Sequence, residues 1–251
     1  MLSPAQRRAL REEGFVLLPQ AVPREMVDDA RRTINAQLGS DGMARDQLAV
    51  FRARTFTPEL CTHPAITDLF TRSPVAALAE AAIGRGKVRA PGEAQIALRF
   101  PSFPGTGPGS PAVPHIDGIS SPGNGVPSGT LFHFTALAGV FLSTVDHPDR
   151  GNLTVWPGSH RLIESYLRTH GPTAIVDRFP DLDLGRPHAI CAQPGDALLA
   201  HYALAHGIAP NLGPDVRYAV FFRLFHAAHE SLGTRPLTDL WLEWDGVREA
   251  P

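Results

Sequence analysis

Val216-Arg217-Tyr218-Ala219-Val220-Phe221-Phe222-Arg223-Leu224-Phe225 is apolar at all but two positions. In an extended chain, successive side chains point to opposite faces. One face then carries Val216, Tyr218, Val220, Phe222 and Leu224, and the other carries Ala219, Phe221 and Phe225. A strand apolar on both faces is covered on both faces, which places this stretch deep in a β core. Arg217 and Arg223 fall on the second face. A buried guanidinium without an anion costs several kcal/mol. Arg217 therefore calls for a fixed carboxylate partner, from the protein or from a ligand, and its planar fork suits a bidentate carboxylate.

Upstream lies Ala205-His206-Gly207-Ile208-Ala209-Pro210-Asn211-Leu212-Gly213-Pro214. A hairpin turning at Asn211-Leu212 sets Arg217 opposite His206, with cross-strand neighbours about 5 Å apart. A short dicarboxylate could then bridge from the arginine head to a metal on His206. A second fragment supplies the other ligands. In Pro114-His115-Ile116-Asp117-Gly118 an extended backbone puts His115 and Asp117 on one face. Two histidines and one carboxylate on one side of a metal leave open positions for substrate and oxygen, the arrangement of non-haem Fe(II) oxygenases. Alone, a His-x-Asp triplet is common among surface polar residues and core histidines. Its weight here comes from His206 and Arg217.

The rest of the chain frames this core. Its 251 residues, 43% hydrophobic and 19% charged, suit a globular enzyme. The 23 glycines and 24 prolines favour a loop-rich β architecture. A formal net charge of -2 gives no footprint for nucleic acid or an anionic membrane. Cys61 and Cys191 cannot build a disulfide framework or a four-thiolate zinc site, which reads as a reducing cytoplasm. Met1 to Glu13 has no apolar core and is no signal peptide, and no apolar run reaches membrane-spanning length. Ser3-Pro4 opens a helix that stops at Gly14. Phe15 to Leu18 is a strand, and Val22-Pro23 opens a second helix ending near Leu38-Gly39. Ser40 to Phe56 is ambiguous. His63-Pro64 and Ser73-Pro74 start two further helices. Residues 1–85 thus form a mainly helical flank, 86–230 a β core and 231–251 a C-terminal tail, in one domain.

Within the core, Lys87–Ala90, Ala94–Phe100, Leu131–Thr135, Ala138–Val145, Leu153–Trp156, Ala189–Cys191, Ala197–His201 and Val216–Phe225 read as strands. Ser159 caps a helix of roughly His160 to Thr169. Pro101 to Gly129 is either a disordered linker or a long functional loop, and the His-x-Asp triplet inside it favours the loop. Phe103 and its neighbouring glycines belong to a mobile lid in that reading. Asp196 is a turn residue leading into a strand.

Four features resemble the phytanoyl-CoA dioxygenase-like (PhyH) family of Fe(II)/2-oxoglutarate oxygenases, over nearly the whole chain. They are His115-x-Asp117; Gly151-Asn152-Leu153-Thr154-Val155-Trp156-Pro157-Gly158-Ser159-His160; His206 with Arg217 eleven residues on; and the opening Gly14-Phe15-Val16-Leu17-Leu18-Pro19 before a helix. The resemblance implies a double-stranded β-helix, or cupin-like jelly roll, with helices outside. It implies Fe(II) on His115, Asp117 and His206, and 2-oxoglutarate clamped by Arg217. Gln95 is a further cosubstrate contact, with Thr135 a second candidate for that role. The implied reaction uses O2 to hydroxylate an unactivated C–H bond of a small-molecule metabolite, with release of succinate and CO2. The protein would act as a monomer or homodimer. His160 is structural in the resembling family. His133 is either a pocket or a core histidine, Trp156 is core, and His201, His226 and His229 are structural or surface residues.

Rival readings are concrete. Halogenases of this architecture carry a small residue in place of the carboxylate ligand, so Asp117 favours oxygenation. Desaturation, cyclisation or epoxidation in natural-product biosynthesis would use the same site. A peptidyl or nucleic-acid oxygenase fits the near-neutral charge poorly. A non-catalytic cupin-like binding module would not need the full ligand set plus Arg217. A serine hydrolase lacks its Gly-x-Ser-x-Gly elbow.

Overall fold

The computed structural model describes residues 1–102, 111–121 and 123–248. Phe103 and the glycines beside it, expected in a lid, lie outside the described residues.

Capping chemistry sets the helices of the first third. Ser3 and Gln6 cap one another reciprocally at the start of α1 (Pro4–Glu13). β1 (Phe15–Leu18) and α2 (Arg24–Asp41) follow, and the ambiguous stretch contains α3 (Leu48–Ala53). The His63 ring and the Ser73 hydroxyl accept backbone N–H groups at the starts of α4 (Pro64–Thr71) and α5 (Pro74–Ile83). Next come β2 (Val88–Arg89), β3 (Gln95–Arg99), β4 (Ala136–Phe141) and β5 (Leu153–Val155). α6 (Ser159–His170), β6 (His188–Ala189), β7 (Ala197–His201), β8 (His206–Ile208) and β9 (Arg217–His226) complete the core. α7 (His229–Leu232) and α8 (Asp245–Arg248) close the described chain.

The strands form two antiparallel sheets, the layers of a jelly roll. One has the order β1-β7-β4-β9-β2, with β3 also paired to β9; the other has the order β6-β5-β8. The larger sheet is buried on both faces. Ala136, Ala138 and Val140 of β4 and Val220, Phe222 and Leu224 of β9 pack outward against helix residues such as Ile34, Ile66 and Leu69. Leu137 and Phe141 of β4 and Ala219 and Phe221 of β9 pack inward with Leu153 and Val155 of the smaller sheet. The two-sided apolar pattern of residues 216–225 follows directly from this double cover.

Several expectations need correction. His206 and Arg217 are not a hairpin pair. β8 pairs with β5, so Val155 lies opposite His206, whereas β3 puts Arg99 opposite Arg217. The intervening segment passes from one sheet to the other. Pro210 and Pro214 have no N–H for a ladder there, and Asn211 ties the crossing to Arg99 and Asp215 through their carbonyls. Leu131 to Thr135 is no strand: Leu131 makes one isolated bridge to Ile119, and the Phe132 N–H is taken by Gly118. Ser159 does not cap α6. Gly158 holds that place, and Ser159 is buried as the first helical residue. The C-terminal tail, as far as residue 248, packs on the rest of the domain, with Leu237, Leu240, Glu243 and Trp244 buried.

Phe222 joins sheet to helix: it is fully buried and its ring centroid lies 5.5 Å from that of Phe70 on α4. Phe222→Ala should lower unfolding stability by about 3–5 kcal/mol, as read from the midpoint shift in urea denaturation.

Candidate metal centre

His115 and His206 are held together by their own backbones. Each N–H donates to the other's carbonyl, at 2.9 and 2.8 Å. The loop carrying His115 is thereby stitched to β8, and the two rings stand 4.7 Å apart between centroids. Asp117 follows where the chain turns away at Gly118. That glycine has φ +85°, and a Cβ there would lie 1.7 Å from the Phe132 carbonyl oxygen. No side chain fits, so the residue after the carboxylate is fixed by space and by backbone conformation together.

Ligand atoms of His115, Asp117 and His206 all lie within 4.8 Å of one another. Both imidazoles are oriented. The His115 Nδ1–H faces the Val113 carbonyl at 3.2 Å, and the His206 Nδ1–H faces the Leu204 carbonyl at 3.0 Å. This leaves each Nε2 as a lone-pair donor, the state that binds a metal. Asp117 divides its oxygens. Oδ2 accepts from Arg223 at 2.9 Å, and Oδ1 lies 3.6 Å from His206 Nε2. The triad fits an iron ion.

The electrostatics agree. Burial alone would raise the Asp117 pKa. Contact with His206, the Arg223 charge and the two imidazoles reverse this and hold the carboxyl far below its usual range. Burial and then His206 pull His115 down, so it stays neutral. Burial also acts to lower His206, but Asp117 outweighs it and raises the pKa. The metal-free pair thus favours a proton where iron would sit.

These groups line a cavity of about 1140 Å³ whose wall includes Gln95, Leu137, Leu153, Ile208, Phe221 and Phe225. Arg217 also lines it, with 4% of its surface exposed. Its Nε donates to the Gly151 carbonyl at 2.7 Å and Nη1 to the Ala97 carbonyl at 3.0 Å. Among the described residues no carboxylate pairs with it. Burial, then the Arg99 charge, draws its pKa down to about 10, which still leaves it cationic at neutral pH.

Gln95 reaches the site through Arg223, whose Nη2 donates to Gln95 Oε1 at 3.3 Å. Thr135 does not reach it. Its hydroxyl is buried, donates to Glu243 at 2.7 Å and accepts the His226 N–H at 2.8 Å. Those bonds commit it to anchoring the segment after β9. Arg223 is a residue whose role the sequence reading missed. The signal was its place on the Arg217 face, six residues along a strand of period two.

The Gly151–His160 segment is scaffold for the centre. Asn152, fully buried, donates to the Ile190 carbonyl and accepts the Arg150 N–H. Ser159 Oγ and the Trp156 N–H together hold both backbone groups of Ala205, the residue before His206. His160 is buried and its Nε2–H faces the Arg11 carbonyl at 3.1 Å, away from the triad.

A jelly roll carrying two oriented histidines, one carboxylate and a buried arginine in one cavity defines a class: non-haem iron enzymes that use 2-oxoglutarate. The phytanoyl-CoA dioxygenase (PhyH) family model matches residues 10–219, and the chain belongs to that family. Solved structures share the fold. The non-heme alpha ketoglutarate dependent carbocyclase SnoK from nogalamycin biosynthesis is 20% identical, with a TM-score of 0.59 over 90% of this chain and 85% of its own. HygX from Streptomyces hygroscopicus, crystallised with nickel and 2-oxoglutarate, is 18% identical, with a TM-score of 0.58 over 90% of this chain and 87% of its own. AviO1 from Streptomyces viridochromogenes is 18% identical, with a TM-score of 0.57 over 91% of this chain and 97% of its own. No curated protein sequence matches the chain.

Proton competition follows from the His206–Asp117 contact. Iron needs neutral His206, and the raised pKa keeps the ring protonated to a higher pH than an ordinary imidazole. Anaerobic Fe(II) affinity, measured by equilibrium dialysis, should fall as pH drops from about 8 to about 6, by up to about tenfold per unit for one displaced proton. A flat profile would remove His206 from the ligand set.

Proposed function

We propose that the protein is an Fe(II)- and 2-oxoglutarate-dependent oxygenase that hydroxylates an unactivated C–H bond of a small-molecule metabolite. The observation that carries this reading is Arg217. It is a buried cation with no carboxylate of its own among the described residues, and it lines the same cavity as the triad. That is the environment a diacid would complete.

His115 and His206 would hold iron through Nε2, and Asp117 through Oδ1, since Arg223 occupies Oδ2. Bound together with O2, iron and 2-oxoglutarate supply an oxidant for a C–H bond, while 2-oxoglutarate leaves as succinate and CO2. The chain's own residues bind and orient. Arg217 clamps the distal carboxylate of the cosubstrate. Gln95 and Arg223 steady the carboxylate ligand. Phe221, Phe225, Leu153 and Ile208 keep the wall apolar and exclude water. No side chain has to act as a general acid or base.

A second outcome on this site is ring closure, favoured by the similarity to the carbocyclase SnoK. A cytoplasmic monomer or homodimer acting on a small molecule completes the proposal. Cys61 and Cys191 are both free thiols, and no helix among the described residues is long and apolar enough to cross a membrane.

Anaerobic titration of Fe(II)-loaded protein with 2-oxoglutarate should produce a weak visible charge-transfer band. Its absence would favour a binding module. Asp117→Ala should abolish 2-oxoglutarate-dependent succinate release, and unchanged turnover would sink the ligand assignment. Arg217→Ala should raise the KM for 2-oxoglutarate by about tenfold to a hundredfold, the worth of charge-assisted hydrogen bonds, with little change in the substrate KM. The opposite pattern would place Arg217 at the substrate.

A further inference from the structure

The cavity holds more positive charge than 2-oxoglutarate can answer. Seven arginines line it, against three acids: Glu93, Asp117 and Asp177. Some of these arginines are already engaged. Arg223 pairs with Asp117 at 2.9 Å, Arg89 with Glu230 at 2.7 Å, and Arg54 donates to the Gly123 carbonyl. Arg217 is the cosubstrate clamp in the reading above. Arg52, Arg99 and Arg178 are left with no carboxylate partner among the described residues; Arg178 is exposed on the segment after α6, whereas Arg99 and Arg52 act on one another.

Their placement is specific. Arg99 ends β3 directly opposite Arg217 in the antiparallel pair with β9. Like charges directly opposite in a sheet destabilise it. Both stems pack on Gly151, where an added Cβ would lie 2.9 Å from the Arg99 Cβ and Cγ and 3.3 Å from the Arg217 Cβ. A glycine there lets the two guanidiniums share one wall. Arg52, on the C-terminal turn of α3, continues the row to the exposed mouth. The row is electrostatically connected. Burial and then Arg52 lower the Arg99 pKa, and burial and then Arg99 lower that of Arg217. The distal carboxylate of one diacid meets one of these cations and leaves the other two repelling each other.

We propose that Arg99 and Arg52 form a second anion subsite, beside the 2-oxoglutarate clamp, that takes a carboxylate or phosphate group of the substrate. The enzyme's substrate is thus a small organic anion, oriented with its charged end along the β3 wall and its apolar part against Phe221 and Phe225. This rests on the reading of Arg217 as the cosubstrate clamp.

The test titrates acetate and inorganic phosphate, by calorimetry at constant ionic strength, into anaerobic protein loaded with Fe(II) and 2-oxoglutarate. Saturable binding of at least one probe is expected, and the tighter of the two identifies the headgroup as carboxylate or phosphate. The double variant Arg52→Gln/Arg99→Gln should weaken that binding at least about tenfold. Arg99→Lys, which keeps the charge, should retain most of it and guards against a folding defect. In both variants the 2-oxoglutarate midpoint of the charge-transfer band should stay within about twofold of wild type. Absence of probe binding, or equal binding in the double variant, overturns the subsite. A 2-oxoglutarate midpoint displaced as in Arg217→Ala overturns it as well, by assigning Arg99 to the clamp. A protein with the band but no probe binding loses only the subsite, whereas one with no band loses the oxygenase reading and the subsite with it.

Discussion

The pairing of two peptide groups organises this molecule's chemistry. His115 and His206 exchange both of their backbone hydrogen bonds, and that bridge attaches the chain at His115 to the β8 edge of the small sheet. Ligands far apart in the chain then meet with little freedom left to them. The bridge also explains the company it keeps. Ser159 and Trp156 fix Ala205 on one side, and Gly118 turns the chain sharply on the other. Metal ligands that are positioned before the metal arrives cost less ordering entropy on binding.

Much of this was legible in the residues. The two-faced apolar run at residues 216–225 announced a strand sealed between layers, and both layers are present. Proline after serine or histidine marked helix starts at Ser3, His63 and Ser73. The His-x-Asp spacing and the buried arginine pointed to one cavity. The path between His206 and Arg217 was not legible. A turn-rich segment of that length closes a hairpin as readily as it crosses between sheets, and the choice depends on which partner strands are available. Val155 and Arg99 supplied those partners from elsewhere in the chain. Thr135 failed for a related reason: its hydroxyl answers Glu243, a group contributed from the far end of the sequence. Local pattern carries no information about such distant claims on a side chain.

Charge shows the same gap between composition and placement. A nearly neutral chain sets seven arginines against three acids around one cavity. Overall charge speaks to solubility and bulk partners. It is silent on a field built inside a cavity, where low polarisability strengthens each interaction. Arg223 and Arg217 stand on one strand face, and of the two only Arg223 has a carboxylate within reach among the described residues.

The contact between α1 and the segment around residues 244–246 bears on how the fold assembles. Arg7 of α1 donates to the Gly246 carbonyl at 2.7 Å, across 239 positions of sequence, and Trp244 lies 1% exposed in the core beneath. β1 likewise pairs with β7. A nascent chain leaving the ribosome would present the amphipathic first helix and an unpaired first strand long before either docking surface exists. Assembly of the barrel therefore waits until β7, β9 and the segment around Trp244 have emerged, the slow, non-local route on which exposed strand edges invite chaperones or aggregation.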